Sequence, residues 1–252
     1  MENKNLYLRF EQDGFAHARG RPFLISPGRE PLHYDELSDA SGRLQSRLLE
    51  LDVKPGDRVM VQVGKSPEAV LLYLACLRAG AIYIPLNTAY TANELEYFIQ
   101  DAGPQLLVCQ PETHEKIEPL ARQLQVPHLR TLGMQGDGSL TEGLDKLSSD
   151  VDVVHMASDD LGAILYTSGT TGRSKGAMLT HDNLQSNGEA LHGYWHWDDE
   201  HDVLLHALPI FHVHGLFVAL HCALLGGSPV HFLPRFDPAQ IIDKLPESTV
   251  MM

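Results

Sequence analysis

Apolar residues fall along this chain in shorter and longer blocks by turns, cut by glycine, proline and small polar residues. Arg58–Val63 (RVMVQV), Ala81–Leu86 (AIYIPL) and Leu106–Cys109 are short apolar runs that predict strands. Between them, Pro67–Arg78 predicts a largely apolar helix stopped by Gly80. Thr91 predicts a helix start with Glu94 as its capping-box partner, each side chain accepting from the other's exposed backbone N–H. After a polar, Gly/Asp/Ser-rich stretch over 131–160, read as a surface connection, the alternation resumes. Strands are predicted at Ala163–Thr167, Val203–Leu208 and Val230–Leu233, and helices at Asp182–His192 and Val213–Leu225. Asp237 predicts a cap for a further helix over 238–245, with Pro238 at its first position, where a missing N–H costs nothing.

Such β-α-β alternation predicts an α/β fold of layered, mostly parallel sheets flanked by helices. The polar stretch suggests two subdomains, 1–160 and 161–252. Ser248–Met252 (STVMM) reads as a strand just beginning, so an incomplete chain is expected, a short edge strand at a true terminus being the alternative.

Composition narrows the function. The 252 residues are 43% hydrophobic and 21% charged, ordinary for a globular protein, and carry a formal net charge of −14. A surface this acidic repels phosphate backbones, which counts against nucleic acid and anionic membrane as partners. Cys76, Cys109 and Cys222 lie scattered in apolar stretches, without the spacing of a disulfide framework or a zinc site. They read as buried small hydrophobes in a reducing compartment. The first residues, MENKNLYLRF, lack the apolar core of a signal peptide, and the longest apolar run, Ala69–Leu77, is too short to span a bilayer. A cytoplasmic protein without a membrane span is expected.

The candidate chemistry lies in Tyr166-Thr-Ser-Gly-Thr-Thr-Gly-Arg-Ser-Lys-Gly176. It follows a predicted strand and is expected to precede a helix. Glycines let the backbone approach an anion closely, and consecutive N–H groups can line a concavity. Hydroxyls of Thr167, Ser168, Thr170 and Thr171 add donors, and Lys175 adds one mobile positive charge. A Walker loop is excluded, because counting from Gly169 the frame ends in Ser174-Lys175-Gly176. The dinucleotide fingerprint is excluded too, since the glycines fall at 169, 172 and 176. The remaining alternative is a flexible Gly/Ser/Thr surface loop.

TSGTTGRSKG resembles the signature of the adenylate-forming superfamily, which comprises acyl- and aryl-CoA synthetases, luciferases and peptide-synthetase adenylation domains. Leu32–Leu37 (LHYDEL), Leu77–Asn87 (LRAGAIYIPLN) and Leu208–Gly215 (LPIFHVHG) resemble further motifs of the family in family order. The likeness covers 30–252, and one departure is Ser174 where the family usually has proline. It implies the N-terminal portion of such an enzyme's large domain. It also implies ATP, Mg2+ and CoA as co-substrates and cofactor, and an acyl-adenylate intermediate. Thr167, Ser168, Gly169, Thr170, Thr171, Gly172 and Lys175 would bind ATP, with Thr171 meeting the magnesium. Lys175 would also compensate charge as pyrophosphate departs, and His212 would lie by the reacting carboxyl. Family members continue well past the position of Met252, so the adenine, ribose and C-terminal lysine motifs would sit in a missing C-terminal part. A 252-residue chain alone is then expected to bind ATP weakly and catalyse little.

For the acid, LPIFHVHGLFV is similar to malonyl-CoA synthetases. His214 stands where enzymes for aryl or fatty acids often carry an aromatic or apolar residue, and it could pair with a second carboxylate. The alternatives for His214 are a packing histidine or a metal ligand, although no Asp, Glu or Cys accompanies the His-x-His pair at useful spacing. His206, His221 and His231 read as packing or surface residues, and Trp195 and Trp197 as loop anchors. Competing functions are a ligase for a medium-chain or aryl monocarboxylate, an amino-acid-adenylating module, and a non-catalytic nucleotide-binding half-domain. The module is disfavoured because 213–225 offers no aspartate for a substrate ammonium.

Overall fold

The computed structural model describes residues 2–167 and 174–252. Its strands are β1 (Pro22–Ile25), β2 (Leu32–His33), β3 (Arg58–Gln62), β4 (Ile82–Pro85), β5 (Leu106–Cys109), β6 (His128–Thr131), β7 (Leu161–Thr167), β8 (Lys175–Thr180), β9 (Leu204–His206), β10 (Val230–Phe232) and β11 (Val250–Met251). Its α-helices are α1 (Leu6–Phe10), α2 (Leu37–Glu50), α3 (Pro67–Ala79), α4 (Ala92–Ala102), α5 (His114–Gln123), α6 (His181–Tyr194), α7 (His221–Gly226) and α8 (Pro238–Lys244). Two compact units result. The first holds Met1–Asn5 and Ser41–His181, the second Leu6–Ala40 and Asp182–Met252.

The first unit is built on a six-stranded sheet in the order β6-β5-β3-β4-β7-β8. Every pairing in it is parallel except β7 with β8. β3 sits between β4 and β5, with Met60 opposite Ile84 on one side and Leu107 on the other. Because parallel strands are buried on both faces, these three read as unbroken apolar runs rather than alternations. One core cluster joins Met60, Ile84 and Leu107 to Leu95, Phe98 and Ile99 of α4 and Ile117 of α5. Burying each of these large side chains contributes about 1.5–3 kcal/mol.

α4 begins as expected: the Thr91 hydroxyl accepts from the Glu94 N–H, and the Glu94 carboxylate accepts from the Thr91 N–H at 2.8 Å. α3 is buried on nearly every side and ends at a left-handed Gly80, as a helix apolar all round should be. Its buried Arg78 stays satisfied: Nε donates to Gln45 Oε1 at 2.8 Å and Nη2 to the Val151 carbonyl at 2.8 Å. Gln45 Nε2 donates to the Asp152 carbonyl at 2.9 Å. These bonds pin the segment before β7.

The second unit carries a five-stranded sheet in the order β11-β9-β10-β1-β2, parallel except for β1 with β2. α1 continues into a π-helical turn, Glu11–Phe15. Phe10 meets the His221 ring at 5.1 Å and Phe217 meets it at 5.6 Å. Asp237 caps α8 by accepting from the Ala239 and Gln240 N–H groups. Trp197 Nε1 donates to Ser228 Oγ at 2.8 Å in a buried bond, so this tryptophan anchors its loop, while Trp195 stays exposed.

Across both sheets seven of the nine described pairings are parallel, in accord with the expected fold class. Three local expectations are corrected. The Gly/Ser/Thr stretch leads into β8 rather than a helix, because Gly176–Leu179 finds a ladder on β7 before α6 begins. Residues 131–160 are not merely a surface connection, since Leu132, Leu140 and Met156 are buried. The stretch expected as one helix from Val213 is π-helical over His214–Leu220 before α7 begins. β7 pairs with β4, which keeps 161–181 with the first sheet, and β1 pairs with β10, which draws 6–40 to the second. Among the described residues no helix is long and apolar enough to cross a membrane.

Burial lowers the His221 pKa to about 3 and the His181 pKa to about 4. Each histidine is therefore neutral in the fold, while the unfolded chain takes up its proton below about 6.5. The unfolded state binds more protons over that window, so stability is lost as pH falls. Urea unfolding should find the protein about 2 kcal/mol less stable at pH 5 than at pH 7 for His221 alone, and His221→Leu should flatten that dependence. An equal pH dependence in the variant would refute the assignment.

Candidate functional site

β7 and β8 form an antiparallel pair whose last register position sets Thr167 opposite Lys175, after Leu165 opposite Ala177 and Tyr166 opposite Gly176. The strand expected to end at Thr167 does so. Ser168, Gly169, Thr170, Thr171 and Gly172, the central residues of the candidate phosphate loop, lie outside the described residues. Both flanking residues are exposed, so the Thr167 hydroxyl and the Lys175 ammonium are open to solvent and to an anion. Gly176 is required by close packing: a Cβ there would stand 2.8 Å from Ile164 Cγ2. A larger residue would push β8 away from β7 at the position next to Lys175.

Helix α4 holds both limbs of this hairpin at their loop end. Tyr97 Oη donates to the Ser174 carbonyl at 2.8 Å, and Tyr166 Oη donates to Asp101 Oδ2 at 2.6 Å. The Phe98 and Tyr166 rings lie 4.4 Å apart, with Tyr97 5.6 Å from Phe98 and 6.4 Å from Tyr166. Partial burial and the Asp101 carboxylate raise the Tyr166 pKa above its ordinary value, which keeps its hydroxyl a donor. The motif reading passed over Tyr97 and Asp101. Their signal was present, because an i,i+4 spacing puts both on one face of α4, but nothing local says what that face meets.

In the second unit His212 and His214 are both exposed, and the His214 N–H points at His212 Nδ1 from 3.5 Å. Their segment is held from beneath. His206 at the end of β9 is fully buried, and its Nε2 lies 2.8 Å from the Gly215 carbonyl oxygen, a geometry that sets the Nε2–H tautomer. The ring stacks on Phe232, centroids 5.5 Å apart. A Cβ on residue 215 would meet the Pro209 carbonyl oxygen at 2.2 Å, so only glycine lets the chain double back there. His206 thus packs, as expected, but it also fixes the turn that presents both exposed histidines. The π-helical stretch begins at His214, and such widened turns occur frequently at functional sites.

Comparison with known proteins follows the same lines. The family model for AMP-binding enzymes matches residues 10–251. A mitochondrial malonate–CoA ligase of Mus musculus is 36% identical over 230 residues, covering 87% of this chain and 38% of the relative. An oxalate–CoA ligase of Arabidopsis thaliana is 34% identical over 216 residues, covering 83% of this chain and 41% of the relative. Among solved structures, MatB from Rhodopseudomonas palustris is 44% identical and aligns with all of this chain and 49% of its own. Its TM-score is 0.94 without ligand and 0.92 with ATP bound. The chain thus spans two fifths to half the length of these relatives. Matched from residue 10 to residue 251, it belongs to the AMP-binding enzyme family.

Proposed function

We propose that the whole protein is an ATP-dependent acid–CoA ligase whose acid is malonate or a close short dicarboxylate. The observation that carries the reading is the register of Thr167 with Lys175 at the mouth of a Gly/Ser/Thr loop, in a chain similar to malonate– and oxalate–CoA ligases. The solved neighbour with ATP bound supports the nucleotide half of it.

In this reading a carboxylate oxygen of the acid attacks the α-phosphorus of Mg·ATP. The bond to the bridging oxygen breaks and pyrophosphate leaves. The thiolate of CoA then attacks the acyl carbon, a C–S bond forms, and AMP departs with the C–O electrons. Little covalent work falls to the chain, whose task is to hold two anions together and spread the leaving charge. The loop hydroxyls and N–H groups of 167–175 bind the outer phosphates, and Lys175 compensates the charge of departing pyrophosphate. The described residues include no group of His, Cys, Asp or Glu able to cage a metal. Magnesium would enter with ATP and neutralise phosphate charge, and Thr171 is the residue that the family resemblance would set to meet it.

His212 meets the reacting carboxyl, and His214, two residues on and equally exposed, meets the distal one. A monocarboxylate has nothing for His214 to pair with, which is why the acid reading rests on that residue. A cytoplasmic location belongs to the same proposal and is supported by three free, buried thiols.

Two outcomes check these roles. Lys175→Ala should slow malonate-dependent pyrophosphate release by the whole protein about 10²-fold, the usual cost of removing a donor to developing charge. An unchanged rate would remove Lys175 from the mechanism. His214→Phe should raise KM for malonate about 10–100-fold, the loss of one charge-assisted hydrogen bond, while turnover of a medium-chain fatty acid is preserved or improved. Undiminished malonate use would point instead to a monocarboxylate ligase.

A further inference from the structure

The hairpin has Thr167 opposite Lys175 as its last described register pair. β8 is the edge strand of its sheet, exposed or half-exposed along its length, with Met178 66% exposed. An edge strand held on one side only can shear along its partner or fray, and a shift of about 1 Å at a phosphate-binding ammonium is enough to matter. Something must oppose that freedom, and the described contacts identify it. The Ser174 carbonyl belongs to the peptide that enters Lys175, and it accepts from Tyr97 Oη at 2.8 Å. On the opposing strand Tyr166, the residue before Thr167, donates to Asp101 at 2.6 Å. Both partners come from α4, one turn apart, and Phe98 between them packs on the Tyr166 ring. Phe98 is 1% exposed and lies in the sheet's own core cluster, so the clamp is seated on a rigid base.

We infer that Tyr97 is a positioning residue for Lys175, and that with the Tyr166–Asp101 bond it lets α4 fix the reach of the phosphate-binding ammonium. This rests on the ligase reading above. Tyr97 does not touch ATP in this account; it restrains the peptide that carries the residue that does. Tyr97 lines a groove of about 480 Å³ together with Glu94, Glu96, Gln100 and Ser174. Removing its hydroxyl leaves the tyrosine ring's packing on Phe98 and Tyr166 in place.

The test is Tyr97→Phe in the whole protein, with steady-state pyrophosphate release followed against ATP and, separately, against malonate. Loss of one such bond should raise KM for ATP about 3–10-fold, while KM for malonate and the melting temperature stay at wild-type values. Asp101→Asn, which weakens the acceptor for Tyr166, should move KM for ATP in the same direction. A KM for ATP equal to wild type in Tyr97→Phe overturns the inference. So does a fall in turnover that tracks a lowered melting temperature with no change in KM, the mark of a merely structural residue. If the wild-type protein consumes no ATP with any carboxylic acid, the ligase reading fails first and the inference with it.

Discussion

The antiparallel pairing of β7 with β8 is the constraint on which the candidate phosphate-binding segment of the first unit depends. Every other strand of that sheet joins its neighbour in parallel, which requires a long crossover. Only an antiparallel pair can bring two strand ends face to face across a short connection. That single reversal turns Thr167 and Lys175, eight positions apart in sequence, into register partners. In the proposed reading Thr167 would then offer a hydroxyl and Lys175 a cation from facing limbs. In the described sheet β8 is the edge strand, and both residues are exposed.

The histidine segment reaches a comparable end by another route. No ladder supports 208–215, and a buried imidazole ties the turn down instead: His206 Nε2–H donates to the Gly215 carbonyl at 2.8 Å. The Pro209 carbonyl approaches residue 215 too closely for any side chain. A histidine with its polar atoms held inside thus presents two histidines with theirs outside. Burial decides the chemistry available to each. His221, enclosed by Phe10 and Phe217, is kept neutral by burial, whereas His212 and His214 are exposed.

Much of this was legible in the sequence because it was local. The capping box at Thr91, the cap at Asp237 and the strand Leu106–Cys109 each depend on residues within a few positions of one another. The family was legible for the same reason, since the motif that carries the resemblance is contiguous. What the sequence hid were pairings between distant segments. Gly176–Leu179 carries no alternation, so only the presence of β7 beside it makes β8 a strand rather than a helix start. Nothing near Tyr97 announces that its hydroxyl meets Ser174, 77 residues later. Likewise, 6–40 cannot be assigned to the second unit without knowing that β1 pairs with β10.

The charge balance poses the remaining physical question, because the proposed function asks a chain of net charge −14 to bind a polyanion. Screening answers most of it. At physiological ionic strength, charges beyond about 8 Å are largely damped, so an acidic surface elsewhere slows encounter more than it weakens the bound state. What counts is the first few ångströms. There, in the proposed reading, main-chain N–H groups would add partial positive charge without adding to the formal count, and the Lys175 ammonium would add to it. Binding then depends on how accurately a few donors are held rather than on how many cations are present. For a single flexible lysine on an exposed edge strand, accuracy has to come from the backbone on either side of it. That is why the bonds from α4 to Ser174 and Tyr166 carry more weight than their number suggests.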